Sequence, residues 1–320
     1  MSFEKATEVR LKLNTGADFP ALGLGTANRA DPPKTKEAVI AAVEAGYRHI
    51  DTAWRYGSEG YIGEALKDLF ARGVVTREEL FITTKVWPTH WDIPKQSFEE
   101  SLRRLGVDYV DLLLQHWPLA FKKVYEENGD LVQLPVDENG EYLFDENGHY
   151  LQGYKNIEDL YLEDKGKRIR AIGVSNYAIP YLEELLKVAR VVPAVDQIEL
   201  HPHLPQKDIV NYAESKGILI TAYSPLGANG APNLKIPLVQ EAVKKYNVTP
   251  NEVLISYHIR QGRSVIPRSI NTERIRNSIR LVPLTEEELE AFDNFGKENP
   301  ARHIRDKWGA NIPGFEYWTG

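Results

Sequence analysis

The 320-residue sequence predicts an α/β protein built as a (β/α)8 TIM barrel, with an N-terminal β-hairpin and extended loops at the C-terminal mouth. Three observations carry this. Short apolar runs alternate with helix-period segments, the pattern of parallel strands joined by helical crossovers. Counted from Phe19, eight such runs lie at 19–25, 48–51, 79–85, 109–115, 169–173, 194–198, 218–223 and 264–267, enough to close a barrel. Four of the runs lead into polar or charged residues, at Asp51, Lys85, His116 and Ser175-Asn176, as strand ends that build one barrel mouth would.

Each element has its own signal. Glu8 to Leu13 alternates apolar and charged residues before the Asn14-Thr15-Gly16 turn, so the chain opens with a hairpin that closes one end of the core. Helical spacing over 35–45 stops at Gly46. Further helices are read at 58–72, 95–105, 156–164, 179–189, 206–215, 236–246 and 250–261. Thr249-Pro250-Asn251-Glu252 is a capping box with proline at the first helical position. The rhythm breaks at 120–155, a long loop insertion in which Asn-Gly turns at 128–129, 139–140 and 147–148 predict surface hairpins. It follows the fourth strand and should overhang the mouth. The tail, 299–320, carries Trp308, Phe315, Tyr317 and Trp318, and is expected to fold over that mouth, because so aromatic a segment is costly to leave in water. The whole of 1–320 is read as a single domain.

Composition narrows the function. With 42% hydrophobic and 27% charged residues the chain lies in the ordinary globular range. There is no cysteine, which excludes a disulfide frame, a thiol nucleophile and a zinc-thiolate site. Net charge is −7, from 39 basic and 46 acidic residues, so nucleic acid is not an expected partner. No apolar run reaches the ~20 residues of a membrane span, and the N-terminus lacks a signal segment; the expectation is a cytoplasmic protein without membrane contact. A small anion remains admissible where a few arginines gather.

The chemistry converges on His49 to Gly57, HIDTAWRYG. A phenol has an ordinary pKa of ~10, too high for ready proton exchange at neutral pH. A neighbouring ammonium favours the phenolate and can lower that value by ~1–3 units. Tyr56 beside Lys85, with Asp51 holding the lysine and a neutral His116 orienting the same oxygen, makes a general acid for a carbonyl or a general base for an alcohol. Singly, each residue has an ordinary packing explanation; only their joint placement argues for chemistry. A second constellation is SVIPRSINTERIRNS, 264–278, where a buried strand runs into Arg268 and Ser269 and then a short helix with Arg274 and Arg276, a natural phosphate grip. Upstream, Tyr223-Ser224-Pro225-Leu226-Gly227 offers an aromatic face and a turn whose amides a pyrophosphate could approach.

Other patterns fail. Gly23-Leu24-Gly25-Thr26-Ala27-Asn28 has asparagine where a dinucleotide fingerprint needs its third glycine. Gly173-Val174-Ser175-Asn176-Tyr177 lacks the closing glycine of a nucleophile elbow. His201-Pro202-His203 has no spaced third ligand, so no metal is expected.

The ordered set HIDTAWRYG, ITTKVW, LLLQHWP, AIGVSN, VDQIELHP, AYSPLG and VIPRS resembles the aldo-keto reductases along most of the chain. Within that family ALGLGTAN, LLLQHWPL, HPHLPQ, APNLKIPL and ISYHIRQG are similar to the D-arabinose dehydrogenases. The resemblance implies a catalytic tetrad of Asp51, Tyr56, Lys85 and His116. It implies NADP(H) as cofactor, with NAD(H) use left open. Ser175, Asn176 and Gln197 would hold the carboxamide, Tyr223 would stack on the ring, and Ser224 and Leu226 would meet the pyrophosphate. Arg268, Ser269 and Arg274 would take the 2′-phosphate and Asn277 the adenine, with Gly25, Thr26 and Asp51 also on the cofactor side. Trp54, Trp87, His116 and Trp117 would line the substrate pocket. Two departures stand out: Arg268 replaces the family's usual lysine and Ile270 an asparagine of some relatives. The implied partner is a small carbonyl compound or an aldose such as D-arabinose, oxidised to its lactone, and the implied assembly is a monomer or weak homodimer. The alternative from another class is a barrel that binds NADPH in a non-catalytic, regulatory role.

Overall fold

In the computed structural model, residues 3–306 are described except Arg29 and Asn229, together with Trp308 and Ile312. Eight parallel strands form one sheet in sequential order: β1 Gly23–Gly25, β2 His49–Asp51, β3 Phe81–Val86, β4 Leu112–Gln115, β5 Ile172–Ser175, β6 Val195–Glu199, β7 Leu219–Tyr223 and β8 Ser264–Ile266. Parallel bridges from Leu22 to Val265 and from Gly25 to Arg268 join its edges, so the sheet closes into the expected barrel. β3 and β6 are buried at every residue, as parallel strands covered on both faces must be.

The hairpin pairs Arg10–Lys12 with Asp18–Pro20. Its Leu13 and Phe19 pack with Phe81, Leu112, Ala171 and Val195 at the strand starts, closing the end of the barrel opposite the mouth. The single strand expected at 19–25 is therefore two. Ala21 is the switch: its N–H donates to Val9 of the hairpin at 3.1 Å, and its carbonyl accepts from Val265 of β8 at 2.8 Å.

Helices α1 Lys34–Glu44, α2 Glu59–Ala71, α3 Pro94–Leu105, α4 Tyr150–Asp164, α5 Ile179–Val188, α6 Lys207–Ser215, α7 Pro237–Tyr246 and α8 Pro250–Ile259 supply the outer layer. The predicted capping box at α8 is present, with the Thr249 and Glu252 side chains each bonded to the other's backbone N–H. Close approach between neighbouring helices of this layer depends on a missing side chain. A Cβ on Gly63 of α2 would stand 2.4 Å from the Arg104 carbonyl of α3. Two short elements follow β8, the helix α9 Thr272–Arg276 and the strand Arg280–Leu281, which pairs with Glu4–Lys5. The last helix, α10 Glu286–Glu298, was not anticipated, although Thr285 and Glu288 form a second capping box.

The insertion folds back on itself through isolated antiparallel bridges, Phe121 to Phe144, Tyr125 to Leu131 and Val136 to Tyr142, rather than through full strands. Asn-Gly turns fall at its predicted bends, with Gly129 and Gly140 at φ of +85° and +81°. Its last residues, 150–155, belong to α4, which begins after His149 accepts from the Leu151 N–H. Among the described residues no helix is long and apolar enough to cross a membrane.

Candidate active site

β2 ends at Asp51, and the chain then makes a single 3-10 turn, Trp54–Tyr56, before Gly57 at φ +69° turns it into α2. That turn sends three consecutive side chains to two places. Trp54 packs behind the wall in the aromatic cluster of Trp87, Trp117 and Trp308, its indole N–H donating to Glu100 of α3 at 2.5 Å and its ring resting on His90. Arg55 and Tyr56 face a cavity of about 1090 Å³ at the C-terminal ends of the strands.

Behind Tyr56 lies Lys85, wholly buried on β3. Its ammonium donates to Asp51 Oδ1 at 2.7 Å, to the Thr52 carbonyl at 2.9 Å and to the Tyr56 hydroxyl at 3.3 Å. The other Asp51 oxygen accepts from Gln197 at 2.7 Å. Burial pulls the ammonium's pKa down, but Asp51 and Tyr56 more than offset it and hold Lys85 above its ordinary value. For Asp51, burial pushes the carboxyl up against the pull of Lys85 and Gln197. Tyr56 differs from the simple expectation. Burial raises its phenol more than Lys85 lowers it, so it stands above its ordinary value and keeps its proton at neutral pH. The lysine's part is to stabilise the phenolate once that proton has left.

His116, directly after β4, sets its ring edge-on to Tyr56 with centroids 5.5 Å apart, and edge-on to Trp87 at 5.1 Å. Burial, reinforced by Lys85 and Arg55, holds the imidazole well below its ordinary pKa, so it is neutral. Among the described residues its Nδ1 has no hydrogen-bond partner.

The remaining residues singled out from the sequence divide cleanly. Gly25, Thr26, Ser175, Asn176, Gln197, Tyr223, Ser224, Leu226, Arg268, Ser269 and Arg274 all line the cavity, as do Trp87 and Trp117. Asn176, at φ +65°, donates to the His116 carbonyl at 2.9 Å and accepts from the Tyr223 hydroxyl at 2.8 Å, tying three strand ends together. Trp54 and Asn277 are not on the wall; Asn277 is the exposed residue that ends α9. His201 and His203, set aside as metal ligands, bond to Glu199 and to the Asn299 carbonyl.

Several wall residues were not singled out. Arg55 stands immediately before Tyr56 in the motif that attracted attention. His303, Ile304, Arg305 and Asp306 bring the tail to the cavity, and Trp308 stacks edge-on to Trp87 and Trp117 at 5.9 and 6.1 Å. Glu199, a carboxylate inside an apolar strand, was the available signal for the tail. It accepts from the His303 N–H at 2.7 Å and from that of Ile304 at 3.2 Å. Phe315, Tyr317 and Trp318, on which the expectation of a covering tail also rested, lie outside the described residues.

The donor set suits an extended anionic ligand. Arg268 and Arg274 are exposed and line the same cavity as Tyr56. On its wall Ser224, Ala228 and Ala231, none a glycine, hold φ of +52°, +54° and +47°, the kind of backbone strain that gathers at ligand sites. The volume reaches the upper end of the ~300–1,000 Å³ usual for small-molecule sites.

Residues 21–297 match the profile of the Aldo/keto reductase family. The chain belongs to the aldo-keto reductases. This reductase is 41% identical over 297 residues to glycerol 2-dehydrogenase (NADP(+)) of Saccharomyces cerevisiae, covering 92% of this chain and 93% of the yeast protein. It is 39% identical over 310 residues to an aldehyde reductase of the same yeast, covering 96% and 97%. Among solved structures, the aldo-keto reductase of Bombyx mori in complex with NADP superimposes with a TM-score of 0.82 at 33% identity, covering 95% of the reductase and 97% of the silkworm chain.

Proposed function

We propose that this aldo-keto reductase is an NADP(H)-preferring oxidoreductase that moves a hydride between the nicotinamide and a carbonyl or alcohol carbon, with Tyr56 as the proton donor in reduction. The observation that carries the reading is the buried Lys85 bridging Asp51 and Tyr56 at the wall of the large cavity. When bound, the nicotinamide supplies or takes the hydride. Tyr56 gives its proton to the carbonyl oxygen, and Lys85, kept charged by Asp51, stabilises the phenolate that remains. Neutral His116 holds the substrate oxygen near that hydroxyl. Ser175, Asn176 and Gln197 would hold the carboxamide and Tyr223 the ring. Arg268, Ser269 and Arg274 would hold the 2′-phosphate, with Ser224 and Leu226 at the pyrophosphate and Gly25 and Thr26 alongside.

Trp87, Trp117 and Trp308 form the aromatic substrate wall, with the insertion and the tail as its cover. The names of the yeast relatives, one acting on an alcohol and one on an aldehyde, support a two-way reaction. The proposed substrates are aldehydes, ketones and dicarbonyls in reduction, and aldoses such as D-arabinose in oxidation to the lactone.

Nicotinamide absorbance tests this directly, with NADPH offered a carbonyl panel and NADP+ offered aldoses. Turnover is expected, and Tyr56→Phe should reduce it by about 10²–10⁴-fold, the usual contribution of a general acid. Fluorescence titration should find cofactor affinity within a factor of ~3, since 1.4 kcal/mol is needed for tenfold. Turnover that survives the substitution removes Tyr56 from its role. Binding without turnover of any substrate would favour the regulatory alternative.

A further inference from the structure

We propose that Glu59, a buried carboxylate outside the cavity wall, is the residue that positions Tyr56 against Lys85; the inference rests on the function proposed above. Glu59 opens α2 three positions after Tyr56 and has no exposure. Its Oε1 accepts from the Thr84 hydroxyl at 2.8 Å, and Thr84 is the β3 residue directly before Lys85. Neighbouring residues of a strand point to opposite faces. Lys85 turns inward and meets Tyr56 while Thr84 turns outward and meets Glu59, so the segment that carries the phenol grips β3 from both sides. Burial raises the carboxyl's pKa against the pull of Ser101, Thr84 and Arg104, and neither Glu59 nor Thr84 lines the cavity. A group so costly to bury, and away from the cavity, acts on the reaction only through what it holds.

What it holds is a short piece of chain with a pivot in it. The Thr52 N–H donates to the Thr83 carbonyl of β3 at 2.8 Å and the Ser58 hydroxyl to the Thr26 carbonyl at 3.2 Å. Between them lie the 3-10 turn of Tyr56 and Gly57 at φ +69°, a residue whose backbone turns freely. Glu59 fixes the far side of that pivot, and Trp54 fixes the near side through the same network. The Trp54 indole donates to Glu100 at 2.5 Å, Arg104 donates to Glu100 at 2.6 Å, and the Arg104 guanidinium stands 3.6 Å from Glu59 Oε2. Tyr56 thus sits between two anchors that share one arginine. Its hydroxyl is 3.3 Å from the Lys85 ammonium, already the long end for a hydrogen bond, so a small retreat of the turn would break the contact that stabilises the phenolate.

The probe is 4-nitrobenzaldehyde, reduced with saturating NADPH. Thr84→Val, which keeps the shape of the side chain and removes the donor, and Glu59→Ala should each lower kcat by about ten- to a hundredfold, part of what a general acid contributes. KM for the aldehyde and the NADPH dissociation constant should stay within about threefold, because only the proton transfer is impaired. Glu59→Gln keeps an acceptor for Thr84 and should bring kcat back to within about threefold of the unmodified enzyme. In a Tyr56→Phe background Glu59→Ala should change the residual rate by less than about twofold, since the hydroxyl through which it acts is gone. Should Glu59→Ala fail to fold, Thr84→Val decides alone. Unchanged kcat in Thr84→Val, a loss that falls on KM or on NADPH affinity, no recovery in Glu59→Gln, or an equal loss with and without the Tyr56 hydroxyl each overturns the inference and leaves the reductase reading intact. Failure of the unmodified protein to reduce any aldehyde removes both.

Discussion

Asp196 lies in β6 with no exposure; among the described residues its Oδ1 receives only a 3.5 Å contact from the Tyr177 N–H, and its Oδ2 has no partner. Burial raises its pKa well above that of an ordinary carboxylate. The folded protein therefore keeps this proton at pH values where the unfolded chain has released it. Stability attached to it is complete below the ordinary carboxylate value and drains away as pH rises towards the folded value, by up to about 1.4 kcal/mol per pH unit. Asp196→Asn removes that dependence while nearly preserving shape. Thermal melts at pH 5, 6.5 and 8 should show the variant gaining on the native protein as pH rises; parallel curves would mean that Asp196 ionises freely. The contrast with Asp51 is instructive. Both aspartates are buried strand residues, but Asp51 has the ammonium and amide that make its charge usable, and Asp196 has neither.

At the scale of elements, β8 and α9 form one unit. Asn271 caps α9 by accepting from the Arg274 N–H at 2.7 Å, and Arg274 lines the cavity together with Arg268, which follows β8. If these arginines grip the 2′-phosphate, Arg274→Ala should weaken NADPH binding by about 10–100-fold, the loss of one charged hydrogen bond of ~1.5–3 kcal/mol. NADH should change by less than ~3-fold. Titration with both nucleotides decides it, and equal losses would place the phosphate elsewhere. Most strands were legible because each is a short apolar run covered on both faces. Where the reading slipped, the cause was a partner distant in sequence. At Ala21 the chain passes from hairpin to barrel by pairing with Val265, which no local pattern announces. α10 shows the opposite case, because its capping box was readable at Thr285 and Glu288 and was passed over.

Across the whole molecule, the tail reaches the cavity at the barrel's mouth, and among the described residues one buried carboxylate holds its first turn in place. Glu199, 1% exposed at the end of β6, accepts from His201 at 3.0 Å and from the backbone of His303 and Ile304, with Arg302 at 3.5 Å. Burial acts to raise its pKa, but His201, Arg302 and the His303 N–H outweigh it and leave the group below its ordinary value. The fastening is thus complete above the ordinary carboxylate range and is lost only as pH falls below it. Glu199→Gln keeps the shape, removes the charge facing Arg302 and turns one acceptor into a donor. Breaking a buried charge pair in this way costs about 3–5 kcal/mol. The loss should fall on the tail, because the strand ladders on either side of β6 are made by backbone groups. Trypsin should then cut after Arg302 and Arg305 at least tenfold faster. KM for a carbonyl substrate should rise about tenfold as Trp308 leaves Trp87 and Trp117, a loss of about 1.4 kcal/mol. Far-ultraviolet circular dichroism should still report a folded barrel. A tail cleaved no faster in the variant would show that Trp308 and its aromatic neighbours hold it without Glu199.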